Sequence, residues 1–316
     1  MIIGALALLT PLTGVSARPP VRSSAHAAST RAAPADFVLE ALAAHRVVFL
    51  GDIHPLAEPK RIVSEVLRRQ DPARPLRLLA LEVAHEQQEH IDAYLASDPE
   101  DIGILVQHAR TLRSHWGASE EYLDIYRTVW RWNHTAGARP IRILAADIPG
   151  WPIAPLSEMM AAGGTANRDE WMAKSLLKAL PRGAEDGVLI FMGGYHGLKQ
   201  GGAEVTVGRA RARFDFWMAG HLREAGLTVF SILADAPQGA GPAATRVYDL
   251  LAARHPGETF AAALDEDTDA VRQPLVDVEQ DGYRLEFLPA RFALRQAADA
   301  MIVLGAGTPL TPIRIR

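Results

Sequence analysis

The chain of 316 residues contains no cysteine. That absence excludes disulfides, thiolate metal sites, a cysteine nucleophile and the lipidated cysteine of a lipoprotein anchor. An excess of charge of either sign is also missing, since 33 Lys and Arg stand against 37 Asp and Glu, a formal net charge of −4. So mild a balance leaves no electrostatic footprint for nucleic acid or for an anionic membrane surface. No Gly-x-Ser-x-Gly elbow, Walker loop or dinucleotide fingerprint is present, which removes the commonest serine-hydrolase and nucleotide-binding signatures. The apolar stretch Met1–Ala17 is interrupted by Pro11 and has no Lys or Arg ahead of it. It is too short for a comfortable membrane span and ends in the small-x-small pattern Val15-Ser16-Ala17, with a second such pattern at Ala25-His26-Ala27. The expectation is a signal peptide over residues 1–17, cleaved as late as 27, and a periplasmic or secreted protein with no integral membrane segment afterwards. Residues 18–35, rich in Pro, Ser, Ala and Arg, are expected to be a disordered linker.

What is present is a repeated grammar around two histidines. The run Val47-Val48-Phe49-Leu50 closes in Gly51-Asp52-Ile53-His54, and the run Val188-Leu189-Ile190-Phe191-Met192 closes in Gly193-Gly194-Tyr195-His196. Short apolar runs rich in β-branched and aromatic residues, stopped by glycine, predict buried parallel strands that end in loops. Ligands of open α/β sheets bind just beyond the carboxyl ends of such strands. Two further runs end in acids: Leu78–Leu81 in Glu82, and Ile141–Ala146 in Asp147. A carboxylate at the end of an apolar run needs a partner, because burying it unpaired is costly. His54 precedes Glu82 by 28 residues and Arg168 precedes His196 by 28, about the length of one strand–helix unit. Asp52, His54, Glu82, Arg168 and His196 are therefore expected to converge, with Asp147 as a weaker sixth member whose other reading is a turn cap beside Pro149 and Gly150.

Strand and helix patterns alternate along the chain after Val38. The fold class this predicts is α/β, a mostly parallel sheet with helices on both faces, formed by a single domain over residues 36–316. A helical insert is expected at about 100–136, a helix near Arg209–Ala225, a hairpin around Asp281-Gly282 and a last buried strand at Met301–Leu304.

These motifs resemble the superfamily that includes the erythromycin esterases, the ChaN-type haem-uptake proteins and the Tiki/TraB proteins. The likeness lies in Gly51-Asp52-Ile53-His54, Leu81-Glu82 and Gly194-Tyr195-His196, and covers roughly residues 45–305. Trp130-Arg131-Trp132-Asn133, Arg168-Asp169-Glu170-Trp171-Met172-Ala173 and Ala298–Val303 resemble the esterase branch in particular. The acid of the first turn is Asp52 where the families have glutamate, and the glycine-rich late turn is closer to the ChaN and Tiki branches.

The same residues support more than one chemistry. In the metal-free reading, which the esterase resemblance implies, His54 is a general base, Asp52 or Glu82 orients it, and Arg168 with His196 binds the oxyanion or a substrate carboxylate. In the Tiki-like reading His54, Glu82, His196 and Asp52 are ligands of Zn, Mn or Fe in a metal-dependent peptidase. A ChaN-like haem or iron carrier is the competing binding function. Arg168 tilts the choice toward a metal-free hydrolase, since a guanidinium beside a dication is electrostatically unfavourable. The partner expected is a small-molecule or peptide substrate. His85-Glu86-Gln87-Gln88-Glu89-His90 lacks the spacing of a zinc-protease helix and predicts only i,i+4 surface pairs. His108, His115 and His134 are expected at the surface or in a lid, and Trp116, Trp130, Trp132 and Trp151 in core and lid packing.

Overall fold

The computed structural model describes residues 32–71, 74–111, 119–150, 168–183, 185–237, 246–253, 255–264, 277–280, 283–288 and 293–313. The expected signal peptide, most of the linker, His115, Trp116, Trp151 and the Asp281-Gly282 turn lie outside these residues. The first described helix, α1 (Pro34–Ala44), takes in the last two residues of the expected linker, with proline in its first turn, where a missing N–H is harmless.

Seven strands make the main sheet: β1 (Val47–Asp52), β2 (Leu76–Ala84), β3 (Arg142–Asp147), β4 (Gly187–Gly193), β7 (Phe230–Asp235), β8 (Phe260–Ala263) and β11 (Ala300–Val303), in the order β3-β2-β4-β1-β7-β11-β8. All neighbours are parallel except β8, which runs antiparallel to β11. The α/β prediction therefore holds. Each central strand is buried on both faces, which is why β1 and β4 are apolar throughout rather than alternating.

Side-chain parity sorts the two layers. Val48, Leu50, Leu79, Leu81, Leu189 and Phe191 pack against α1, α2 (Ala57–Arg69), α3 (Gln88–Ala96) and α5 (Glu120–Asn133). Val47, Phe49, Leu78, Ala80, Val188 and Ile190 pack against α6 (Arg168–Ala179) and α7 (Met218–Glu224). The insert between β2 and β3 holds α3, α4 (Gly103–Thr111) and α5. Trp130 and Trp132 pack at the edge of the first layer and donate their indole N–H groups to Ser97 O and Arg139 O, while His134 stacks on Trp130.

Two expectations need correction. Residues 209–217 are not helical: β5 (Gly202–Val207) and β6 (Ala210–Phe214) form a hairpin in which Val207 pairs with Ala210. Gly208, at φ 59°, opens its two-residue turn, and only the last part of the stretch is helical, as α7. The hairpin belongs to a second sheet, β6-β5-β10-β9, with β9 (Val278–Gln280) and β10 (Tyr283–Leu288) paired as the expected C-terminal hairpin. A third apolar cluster joins this sheet to α8 (Arg246–Ala252), α9 (Leu294–Ala297) and the β7–β11 side of the main sheet. The His85–His90 segment does not start as an α-helix either. His85–Gln87 form a 3₁₀ turn that leads into α3, and Glu86 accepts the Gly150 amide.

Candidate functional site

The carboxyl ends of β1, β2, β3 and β4 lie side by side, and each delivers ionisable groups. Parity places Asp52 toward the α2/α5 layer and Glu82 toward the α6 layer, so the site joins both sides of the sheet at its rim. Asp52, His54, Glu82, Asp147, Arg168 and His196 form one connected network.

On the first side Asp52 Oδ2 lies 3.1 Å from His54 Nδ1 and accepts the Tyr122 hydroxyl at 3.1 Å, while Oδ1 accepts Lys60 Nζ at 2.5 Å. Lys60 is fully buried, and its ammonium also donates to the carbonyls of Ile53 and His54 at 3.0 and 2.8 Å. Three donors meet three acceptors, which satisfies the ammonium and fixes the backbone that carries His54. The Lys60 ammonium also stands 5.4 Å over the Tyr122 ring. Burial works against the Asp52 carboxylate, but Lys60 and His54 outweigh it and hold its pKa below the usual value. Burial lowers the pKa of Lys60, with Asp52 opposing. Tyr122 is pushed well above the phenol range by burial beside Asp52 and Glu82, so it remains a donor.

On the second side Arg168 grips Asp147 with a fork, Nε to Oδ1 at 2.8 Å and Nη2 to Oδ2 at 2.6 Å, and Nη2 also donates to Glu82 Oε1. Asp147 is therefore part of the network as well as a cap for the Ile148 amide. Burial works against the guanidinium cation, but Asp147 and then Glu82 outweigh it and raise the Arg168 pKa. Glu82 Oε2 accepts the Gly193 amide at 2.6 Å. Burial disfavours the Glu82 anion, yet His54, Arg168 and His196 hold its pKa well below the carboxylate range. Glu82 links the halves, because His54 Nε2 is 3.5 Å from Oε2 and His196 Nε2 is 3.6 Å from Oε1. The two turn histidines therefore meet across one carboxylate.

His196 Nδ1 lies 2.7 Å from Asp169 Oδ1, which also accepts the Met218 amide at the start of α7. Its Nε2 is 3.2 Å from Arg168 Nη1, a hydrogen bond only to a neutral ring. Burial and Arg168 favour that neutral ring, but Asp169 and Glu82 outweigh them and raise the pKa to about 9. The upward direction follows from the charge inventory: four buried carboxylates, Asp52, Glu82, Asp147 and Asp169, face two basic side chains, Lys60 and Arg168. A proton on His196 reduces that deficit, and the ring then donates from Nε2 toward Glu82. Among these groups His54 is the most open, with 22% of its side chain accessible against 9% for His196.

The glycines are steric requirements. A Cβ on Gly193 would stand 2.9 Å from His54 Nε2 and 3.1 Å from Glu82 Oε2, and one on Gly51 would stand 3.1 Å from Gly194 Cα and 3.2 Å from Ala234 N.

Sequence reasoning missed Lys60, Tyr122 and Asp169. Lys60 occupies the inner stripe of α2 with Ala57, Val63, Ser64 and Leu67, and a lysine in an apolar stripe was the available signal. Asp169 adjoins Arg168 and was legible only as a first-turn acid. Among the described residues no group of His, Asp and Glu side chains is arranged to hold a metal ion. In the proposed ligand set of His54, Glu82, His196 and Asp52, each carboxylate oxygen accepts a hydrogen bond, from Arg168, the Gly193 amide, Lys60 or Tyr122. No described helix is long and apolar enough to cross a membrane.

No family model and no curated protein matches the chain. Solved structures do match. An erythromycin esterase, determined as a mutant in its open conformation, superposes with a TM-score of 0.59 at 11% identity over 89% of this chain and 95% of that one. A succinoglycan biosynthesis protein superposes with a TM-score of 0.55 at 9% identity over 87% of this chain and 91% of that one. ChaN of Campylobacter jejuni gives a TM-score of 0.38 at 16% identity over 64% of this chain and 86% of that one, too low to carry an argument. In fold, the chain is similar to that erythromycin esterase and that succinoglycan biosynthesis protein along most of its length.

Proposed function

We propose that the protein is a hydrolase that activates water at His54 and attacks an ester or lactone without a metal. The observation that carries this reading is the Asp52–His54 pair: a buried carboxylate, itself anchored by Lys60 and Tyr122, holds Nδ1 of the most open histidine in the network. An imidazole so oriented presents Nε2 as the base, and its cationic form is stabilised by the acid behind it. Arg168 and protonated His196 supply positive charge nearby.

In the step proposed, His54 Nε2 takes a proton from water as the oxygen forms its bond to the carbonyl carbon. The carbonyl electron pair moves to its oxygen, facing the Arg168 and His196 cations. Collapse of the intermediate breaks the carbon–oxygen bond to the leaving group, which receives the proton from His54 as an alcohol. Tight engagement of Glu82 and Asp147 by Arg168 favours this over the ligand reading of the same residues. The erythromycin esterase fold supports esters and lactones as the class to test first. The apolar start with its small-x-small ends supports action in the periplasm or outside the cell.

The test is a pH–rate profile over a panel of activated esters and lactones for the wild type and His54→Ala. The reading requires turnover that the variant loses by about 10²–10⁴-fold, the usual size of a general-base contribution. Equal turnover by both proteins refutes it. A haem absorption band in purified protein, with no His54-dependent turnover, would make it a carrier.

A further inference from the structure

The first turns of α2 and α5 carry the same arrangement, and one stretch of chain makes both. At α2 the Ala57 amide donates to the Thr308 carbonyl at 2.8 Å, and the Thr308 amide donates to the Glu58 carboxylate at 2.9 and 3.0 Å. At α5 the Glu120 amide donates to the Thr311 carbonyl at 2.9 Å, and the Thr311 amide donates to Glu121 Oε2 at 2.9 Å. The Thr311 hydroxyl adds a bond to Glu121 Oε1 at 2.8 Å. In both places a threonine satisfies the orphan donor of the helix's first residue and is held in return by the acid at the second.

The sequence writes the motif as a repeat, Thr308-Pro309 and Thr311-Pro312. Each proline removes an N–H and keeps the threonine before it extended. Three residues of extended chain span about 10 Å, the separation of two packed helices, so this repeat has the spacing to cap two neighbours. Bridges from Leu56 to Pro309 and from Ser119 to Pro312, and a bond from the Leu310 amide to Pro55 O, complete the contact. Leu56 gives α2 no side-chain cap of its own. Arg61 stands between the two acids, 3.9 Å from Glu58 and 3.6 Å from Glu121.

The core secures the flanks of α2 and α5 through Val63, Val66, Leu67, Ile125 and Val129. Their first turns are where the site is made, because Pro55 follows His54, Lys60 lies in α2 and Tyr122 is the third residue of α5. We propose that Thr308–Pro312 is a clasp that positions the His54 turn and Tyr122 about the Asp52 carboxylate. Its residues are positioning residues acting through Glu58 and Glu121. The clasp gains a role in turnover only if the hydrolase reading holds, so its test reads the imidazole rather than the reaction.

The experiment is an NMR titration of the His54 imidazole, assigned by its loss in His54→Gln, in Glu58→Ala, Glu58→Gln, Glu121→Ala, Glu121→Gln and Thr311→Val. Glutamine drops the charge but keeps an acceptor, so the alanine–glutamine difference isolates the hydrogen bond. Glu58→Ala loosens the His54 turn and weakens its contact with Asp52, so His54 titrates about half a pH unit below Glu58→Gln. Glu121→Ala lets Tyr122 withdraw from Asp52, leaving a more basic carboxylate, so His54 titrates about half a unit above Glu121→Gln. Thr311→Val, which deletes only the hydroxyl bond, shifts in the Glu121→Ala sense by less and decides alone where an alanine variant does not fold. Coincidence within both pairs, or shifts of one sign in both, overturns the clasp. Opposite shifts in a protein without His54-dependent turnover would retain the clasp and discard the hydrolase.

Discussion

Replacing Lys60 by methionine tests the anchoring of Asp52 with a perturbation whose size can be worked from contacts. Methionine keeps much of the volume of a fully buried side chain but removes three hydrogen bonds, to Asp52, Ile53 and His54. Removing one partner of a buried ion pair costs about 3–5 kcal/mol because the other charge is left uncompensated. The two orphaned carbonyls add about 1 kcal/mol or more each. Tyr122 and His54 still face Asp52, so the low end applies and the expected loss in urea denaturation is about 5 kcal/mol. The pH dependence has a definite sign. In the wild type Asp52 has a depressed pKa, so its contribution is present above the unfolded carboxylate value and lost as pH falls. Without Lys60 burial dominates and the pKa rises, so protonation relieves the variant, and its deficit relative to wild type must shrink between pH 8 and pH 5. Adding Asp52→Asn to Lys60→Met must restore a large part of the loss. A deficit under about 1 kcal/mol, or one that grows toward pH 5, would refute the assignment of Lys60 as the counter-ion.

Other outcomes follow from the same network. Gly193→Ala places a methyl group against His54 Nε2 and Glu82 Oε2, so turnover falls about tenfold or more while stability in urea changes by about 1 kcal/mol or less. Arg168→Lys cannot reproduce the fork to Asp147 while also reaching Glu82, and kcat falls about 10²-fold with the protein still folded. The raised pKa of His196 contributes stability fully present below its unfolded value and lost as pH rises through about 9. That contribution is roughly 3 kcal/mol, and Asp169→Asn removes most of it, visible as a flatter stability–pH curve on the alkaline side.

The strand ends were legible because they obey local rules. An apolar run stopped by glycine and followed by histidine has few other readings, and Glu82 and Asp147 advertised a need for partners by ending buried strands. The strand order and the convergence on one carboxylate are tertiary facts, yet parallel topology already implied that all four ends share one rim. Lys60, Tyr122 and Asp169 stayed hidden because helical periodicity registers a residue's face, not what waits opposite it. The β5–β6 hairpin was misread because Ala210-Arg211-Ala212-Arg213 consists of good helix formers. Its alternation, with Ala212 buried and the arginines outward, was the stronger signal.

The account rests on His54 acting as a metal-independent base. The most direct measurement compares ester and lactone turnover by native protein, by protein exhaustively treated with chelator and verified by elemental analysis, and by His54→Ala. Full turnover after chelation, with loss in the variant, is the predicted result. Stoichiometric Zn, Mn or Fe whose removal abolishes turnover and whose return restores it would contradict the account.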